Sequence, residues 1–264
     1  MPSSLLLVRK DPESTTSQAA EPSQQGINFQ QNMSEYVQVD RKVFFAAADR
    51  NKDVILDQLK PYLDQSRLVL EVGSGSGQHT QHFSSQYPDV VFQPTEYDVG
   101  LLPSIEAYSQ DLNRHGHHVK RPLELDATNT AHWDAVLQAG LEESASSATN
   151  GTAGCYDLVM TTNVFHISPW IVGESIVRGA GKVLSPGGHL IVYGPFKKNG
   201  QFNTESNREF DRTLRSRDPS WGVRDMEAIE VVGAEKETGL RLEKVIDMPS
   251  NNYLLVFEKQ REHQ

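Results

Sequence analysis

Leu68-Val69-Leu70-Glu71-Val72-Gly73-Ser74-Gly75-Ser76-Gly77-Gln78-His79-Thr80 is the stretch whose reading decides the fold. An apolar run of β type leads into an acid, then into three glycines at alternate positions, and a helix-compatible segment follows. Glycine has no Cβ and tolerates positive φ, so a strand ending in such a turn brings bare backbone close to a ligand. The helix after it aims free N–H groups at the same place. A dinucleotide fingerprint, G-x-G-x-x-G, requires a glycine where Gln78 stands, which disfavours a dinucleotide-dependent oxidoreductase.

Outward from this turn, strand and helix signals alternate. Segments 40–60 read as one or two helices, 67–72 as a strand, 77–87 as a helix, and 90–95 as a strand ending at Glu96. A helix at 100–114 precedes a short strand near Pro122–Leu125 that ends at Asp126. A helix at 131–139 leads to a low-complexity loop at 144–154. Beyond it come a strand at 156–162, a helix at 170–184 stopped by Ser185-Pro186-Gly187-Gly188, and a strand at 189–193. A polar stretch with a helix at 204–214, a helix at 225–238, and two strands at 240–247 and 252–258 complete the chain. Alternation closing on an antiparallel pair predicts an α/β, doubly wound, mostly parallel sheet of seven strands, with an antiparallel last strand and helices on both faces. Ligands of such sheets bind at the carboxyl ends of the strands.

The 264 residues make one domain plus extensions. Residues 1–33 are rich in Ser, Thr, Gln, Pro and Glu, and they predict a disordered tail ahead of a domain at 34–264. A net charge of −10 argues against a protein that grips nucleic acid through its general field. No apolar run approaches the roughly 18 residues of a membrane span, and no signal-type segment is evident. The single cysteine, Cys155, excludes an internal disulfide and fits a reducing compartment. The expected location is the cytoplasm, with nuclear access left open. Composition does not fix the oligomeric state, and no metal is assigned.

The pattern E-x-G-x-G-x-G at Glu71–Gly77 resembles motif I of the class I S-adenosylmethionine (SAM) methyltransferases. That resemblance implies a Rossmann-like methyltransferase domain with SAM as its cofactor. Gly73, Ser74, Gly75 and Gly77 would accept the methionyl part and the sugar edge. Glu71 would fix the loop or meet the ammonium. Glu96, 23 residues after Gly73, is placed for the ribose hydroxyls. Asp126, with the backbone of Ala127, is placed for the adenine, and His79 and Asn163 complete the set.

Further segments resemble the methyltransferase-like-26 family over about residues 40–258. They include Ala48-Asp49-Arg50-Asn51, Gly75-Ser76-Gly77-Gln78-His79, Asn163-Val164-Phe165-His166-Ile167-Ser168-Pro169-Trp170, Tyr193-Gly194-Pro195-Phe196, Arg217-Asp218-Pro219-Ser220-Trp221-Gly222-Val223-Arg224-Asp225 and Met248-Pro249-Ser250-Asn251-Asn252. The resemblance implies the fold and SAM binding, and it names no substrate. The N-terminal tail and the 144–154 loop depart from it.

Methyl acceptors bind beyond the strand ends at 162 and 193. His166 is the candidate base there, since an ordinary imidazole takes a proton near neutral pH. Trp170, Tyr193 and Phe196 are candidate walls. The polar stretch 197–225 reads as a substrate lid, carrying Asn207, Arg217, Trp221 and Arg224. Arg50 and Asn51 would close the site from the N-terminal side, and Asn251 and Asn252 from the last turn. The leading expectation is methyl transfer to a small molecule, an anionic one if the arginines face it. The alternatives are a protein or peptide methyltransferase and a non-catalytic SAM-binding scaffold.

Overall fold

The structure, a computed structural model, describes residues 41–146 and 154–261. The expected tail at 1–33, residues 34–40 of the expected domain, and most of the expected 144–154 loop lie outside the described residues.

The elements are α1 (Ala46–Leu63), β1 (Leu68–Val72), α2 (Gln78–Gln86), β2 (Val91–Glu96), α3 (Leu102–Asn113), β3 (His118–Val119), β4 (Leu123–Glu124), α4 (Thr130–Ser146), β5 (Tyr156–Thr162), α5 (Trp170–Val183), β6 (Leu184–Gly194), β7 (Phe196–Lys197), α6 (Glu205–Arg217), β8 (Arg224–Asp225), α7 (Met226–Gly233), β9 (Leu240–Met248) and β10 (Asn252–Lys259). The main sheet runs β3-β2-β1-β5-β6-β10-β9, and β4 also pairs with β2. β2, β1, β5 and β6 are parallel, and β10 is antiparallel to both of its neighbours. This is the Rossmann-like architecture of class I methyltransferases. The strand order reverses between β1 and β5, which opens the ligand crevice of such sheets.

Side-chain alternation sorts the strands into two cores. Leu68, Leu70 and Val72 of β1 pack with residues of α4, α5 and α7, whereas Val69 packs with α1, Phe83 of α2 and Leu112 of α3. β6 splits the same way, Leu190 and Val192 against Ile191 and Tyr193. With both faces covered, β1 is buried at every position. That explains why it reads as a continuous apolar run rather than as an alternating one. Among the described residues no helix is long and apolar enough to cross a membrane.

Four elements differ from expectation. α4 runs to Ser146, so residues 144–146, expected to open the loop, are helical. The third strand is two short pieces, β3 and β4, each pairing with β2 over two residues. Ser185-Pro186-Gly187-Gly188 does not stand outside a strand. β6 starts at Leu184, and its register against β5 shifts between Tyr156 and Leu158, so the Pro-Gly segment is accommodated as an irregularity. α7 ends at Gly233, because residues 235–239 form a turn in which the Thr238 and Gly239 N–H groups both donate to the Glu235 carbonyl.

Candidate cofactor and acceptor site

The turn after β1 is held by backbone. The N–H groups of Gly73 and Ser74 both donate to the Thr95 carbonyl of β2, at 3.0 and 2.8 Å, and Gly77 N–H donates to the Ser74 carbonyl at 2.9 Å. All three glycines have positive φ, +73°, +56° and +95°. Neighbouring chain also needs the bareness of Gly73 and Gly77. A Cβ on Gly73 would stand 2.6 Å from Val164 Cγ2, in the loop after β5, and one on Gly77 would stand 2.9 Å from the Ile105 backbone of α3. Gly75 lies under the Phe45 ring, 3.4 Å from where its Cβ would be. Gln78, at the position that disfavours the dinucleotide reading, accepts the Ser76 hydroxyl and the Phe45 N–H on its side-chain oxygen.

Glu96 ends β2 and is nearly buried. One of its carboxylate oxygens accepts Gly75 N–H at 2.6 Å; the other accepts Tyr97 and Asp98 N–H at 2.9 and 3.0 Å. Burial pushes its carboxyl above the usual range, against the pull of these three donors. Three bonds leave about one of the roughly four acceptor positions of a carboxylate open. Asp98 turns its own carboxylate to Gly100 N–H, at the entry to α3. Asp126 is half-buried beyond β4, and one of its oxygens accepts the Thr128 N–H and hydroxyl. Ala127 is buried beside it, its carbonyl taken by the Trp133 indole at 2.9 Å.

Glu71 is 2% exposed. One oxygen accepts the Thr80 hydroxyl, and the other has no hydrogen-bond partner among the described residues. Burial raises its pKa, the Thr80 and Ser74 hydroxyls oppose the rise, and the Glu96 charge adds to it. His79 Nδ1 lies 3.9 Å from the unpartnered oxygen. Burial, reinforced by the His82 and Lys52 charges, lowers the His79 pKa to about 4.

On the acceptor side, Asn163 follows β5 at φ +62°, and its N–H donates to the Tyr193 carbonyl. His166 is 6% exposed, and its ring nitrogens carry no hydrogen bond among the described residues. Burial first, and the Arg224 charge second, lower its pKa to about 4. The Phe210 ring of α6 stands edge-on to it at 5.4 Å. The Tyr193 hydroxyl accepts the side-chain amide of Asn252 at 3.0 Å.

Several expected contact residues are committed elsewhere. Phe196 is 1% exposed and packs edge-on against Phe165 in the core, so it is not a pocket wall. Trp170, half-buried, opens α5 and packs on the same core. Arg224 spends its guanidinium on the carbonyls of Phe165, Ser168 and Ser220, and Arg215 pairs with Asp211 at 2.8 Å. The Asn207 amide donates to Asn203 and to the Asn251 carbonyl, which stitches α6 to the turn before β10. The Asn251 side chain donates to Ser206, and it is Asn252, one residue on, that reaches Tyr193. Arg50 and Arg217 are exposed and carry no ion pair among the described residues, and Trp221 is half-buried. Cys155 is buried, its thiol pushed up to about 11 by burial, as suits an inert core residue.

Residues 42–259 match the family described as "Protein of unknown function (DUF938)". The chain belongs to that family. Solved structures similar to it include an O-methyltransferase family protein from Burkholderia thailandensis, at 13% identity and a TM-score of 0.60, over 82% of this chain and 60% of that one. A second is the S-adenosylmethionine-dependent methyltransferase SibL, at 15% identity and a TM-score of 0.60, over 82% of this chain and 56% of that one. A third is human N-acetylserotonin methyltransferase in complex with SAM, at 11% identity and a TM-score of 0.55, over 81% of this chain and 53% of that one. The chain thus spans between about half and three fifths of the length of these three. At such identities the likeness is one of fold.

Proposed function

We propose that this chain is a SAM-dependent methyltransferase acting on a small molecule in the cytoplasm, akin to the methyltransferase-like-26 proteins that its polar segments resemble. The observation that carries the reading is the turn Gly73–Gly77 at the reversal of strand order, tied to Glu96 through Gly75 N–H. The solved relatives of like fold, one of them bound to SAM, support it.

The residues present fit the cofactor. The unpartnered, buried oxygen of Glu71 costs free energy as it stands, and it suits a ligand ammonium. The open acceptor position of Glu96 suits a ribose hydroxyl, and Asp126 with the Ala127 backbone suits the adenine edge. When bound, SAM supplies a methyl group made electrophilic by its sulfonium. The chain's own part is alignment and exclusion of water. His166, with a pKa near 4, is neutral at pH 7 and offers a ring nitrogen as a hydrogen-bond acceptor. So low a pKa suits orientation of an acceptor hydroxyl or amine better than retention of its proton. Phe210 stands against the His166 ring, and the charge of Arg224, whose hydrogen bonds to Phe165, Ser168 and Ser220 go to neutral carbonyls, reaches the same ring, so both neutral and anionic acceptors belong in the screen.

Calorimetric titration with SAM and S-adenosylhomocysteine, on wild type and Glu96→Ala, is the test. Binding that collapses in the variant supports the proposal and justifies a screen of labelled methyl transfer to neutral metabolites and their carboxylated analogues. A folded wild type that binds neither compound overturns it.

A further inference from the structure

Gly194 ends β6 opposite Tyr253 of β10, and no contact among the described residues asks for a glycine there. Its φ lies outside the left-handed region, and the proline after it favours extended backbone, which any residue adopts. A Cβ on Gly194 would stand 3.7 Å from each of its three nearest atoms, Asn163 Oδ1, His166 Nδ1 and Phe196 Cε2, which is ordinary contact. Every other glycine among the described residues has a positive φ or a neighbour within 3.4 Å of where its Cβ would be. A bare position inside a strand weakens it, and it marks a place where a ligand comes close to the backbone.

Gly194 is buried, so the missing side chain leaves a gap rather than a patch of surface. The gap lies at the carboxyl ends of β5 and β6, and two polar atoms from the loop after β5 share it. Asn163 is half-buried, and its side-chain amide makes no hydrogen bond among the described residues. His166 Nδ1 is likewise without a partner, in a ring that is 6% exposed. That ring is neutral at pH 7, so Nδ1 is not bound to donate. The Phe196 edge closes the third side and brings no competing polar atom. A hydroxyl or neutral amine in the gap donates to Asn163 Oδ1 and meets Nδ1 in either tautomer, since such a group both gives and accepts. An ether or a tertiary amine has no hydrogen to give and leaves the amide oxygen unmet.

We propose that Gly194 is the specificity-determining residue of the acceptor site: its bareness seats a hydroxyl or amine of the acceptor, hydrogen-bonded by Asn163 Oδ1 and His166 Nδ1. That the seated atom receives the methyl group rests on reading the glycine turn as a SAM site; the seat itself rests on the contacts around Gly194.

The experiment uses the full chain with 15N-labelled histidine and no cofactor, the His166 ring resonances being assigned by their loss in His166→Gln. The probes are phenol and aniline, whose rings suit the Phe196 edge and the Phe210 ring beside His166, and their counterparts without a donor hydrogen, anisole and N,N-dimethylaniline. Phenol and aniline move the His166 resonances in wild type, and the counterparts need about tenfold higher concentration, the loss expected when a buried acceptor goes unmet. Gly194→Ala melts at or above the wild-type temperature, because the strand gains and the Cβ fits, and its response to both probes is lost. Asn163→Ala raises the phenol concentration needed by about tenfold and decides the matter if Gly194→Ala does not fold. Equal responses to phenol and anisole, a response that survives in folded Gly194→Ala or is unchanged in Asn163→Ala, or a His166 indifferent to all four probes overturns the seat. Calorimetry with S-adenosylhomocysteine on the same wild-type sample separates the two claims. No binding brings down the SAM reading and the methyl-accepting role with it, while the phenol response still decides the seat.

Discussion

Gly75 and Gly77 are two residues apart and carry different loads. Both have positive φ, which costs an L-residue about 1–2 kcal/mol. A Cβ on Gly75 would meet the edge of the Phe45 ring, which can yield, whereas one on Gly77 would press on the main chain of α3, which cannot. Gly75→Ala is expected to cost about 1–2 kcal/mol and Gly77→Ala about 3 kcal/mol or more once overpacking is added, measured by urea unfolding. His166 gives a prediction in pH. Its pKa is about 4 in the fold against 6.5 for an ordinary histidine, so the unfolded chain takes up the proton first as pH falls. The fold therefore loses stability from about pH 6.5 down to about 4, by at most about 1.4 kcal/mol per pH unit from this group, and loses no more below. His79 acts in the same sense. Glu71 and Glu96, whose pKa values are raised, act in the opposite sense, favouring the fold as they protonate. Urea unfolding across pH 4–8 should show His166→Gln flattening the acid limb relative to wild type; an unchanged slope would mean that His166 is not held neutral.

Among the elements, the lid is where sequence and structure part most. Arg217 and Arg224 look from sequence like anion binders, because nothing local marks the Arg224 guanidinium as one whose partners include the distant main-chain carbonyls of Phe165 and Ser168. Arg224 binds three carbonyls in all, which makes it the pin between β8, the loop after β5 and the end of α6. Arg224→Ala should cost about 2 kcal/mol and speed hydrogen exchange in α6 ahead of the sheet. Arg224→Lys should not restore it, since an ammonium lacks the planar fork. β1, β2 and β5 were legible because their apolar runs end in an acid or a turn, and that is also why Glu71 and Glu96 could be placed at strand ends, while Asp126 lies two residues beyond β4. β3 and β4 were not separable, since pairs of two residues leave no periodicity. The sequence points both Asn251 and Asn252 at the pocket; the 3-10 turn Pro249–Asn251, with positive φ at Ser250 and Asn251, decides that the Asn252 amide faces Tyr193, and no spacing in the sequence encodes that rotation.

For the molecule as a whole, ligand linkage offers the simplest reading. A compound that binds the fold alone raises its stability by about 2.7 kcal/mol at a hundred times its dissociation constant. S-adenosylhomocysteine should therefore raise the melting temperature of wild type in proportion to the logarithm of its concentration and leave that of Glu96→Ala nearly fixed; a melting temperature indifferent to it in both proteins would oppose a SAM site. On the proposed reading the sheet builds the cofactor half, and the acceptor half is hung on it. The hanging has a particular form. β7 and β8 pair Phe196 with Arg224 and Lys197 with Asp225, so the excursion from β6 leaves and returns through one short parallel ladder. Its other moorings mix the two kinds of partner: Arg224 on the carbonyls of Phe165 and Ser168 and Asn207 on that of Asn251 grip main chain, while Asn199 and Gly200 N–H on the carboxylates of Glu227 and Asp225, Asn251 on Ser206, and Phe210 against His166 depend on side chains. A segment tied at both ends by one ladder and along its length by named side chains can be redrawn only together with the residues it touches, so on the proposed reading a change of acceptor within residues 198–223 has to carry Glu227, Asn251 and His166 with it.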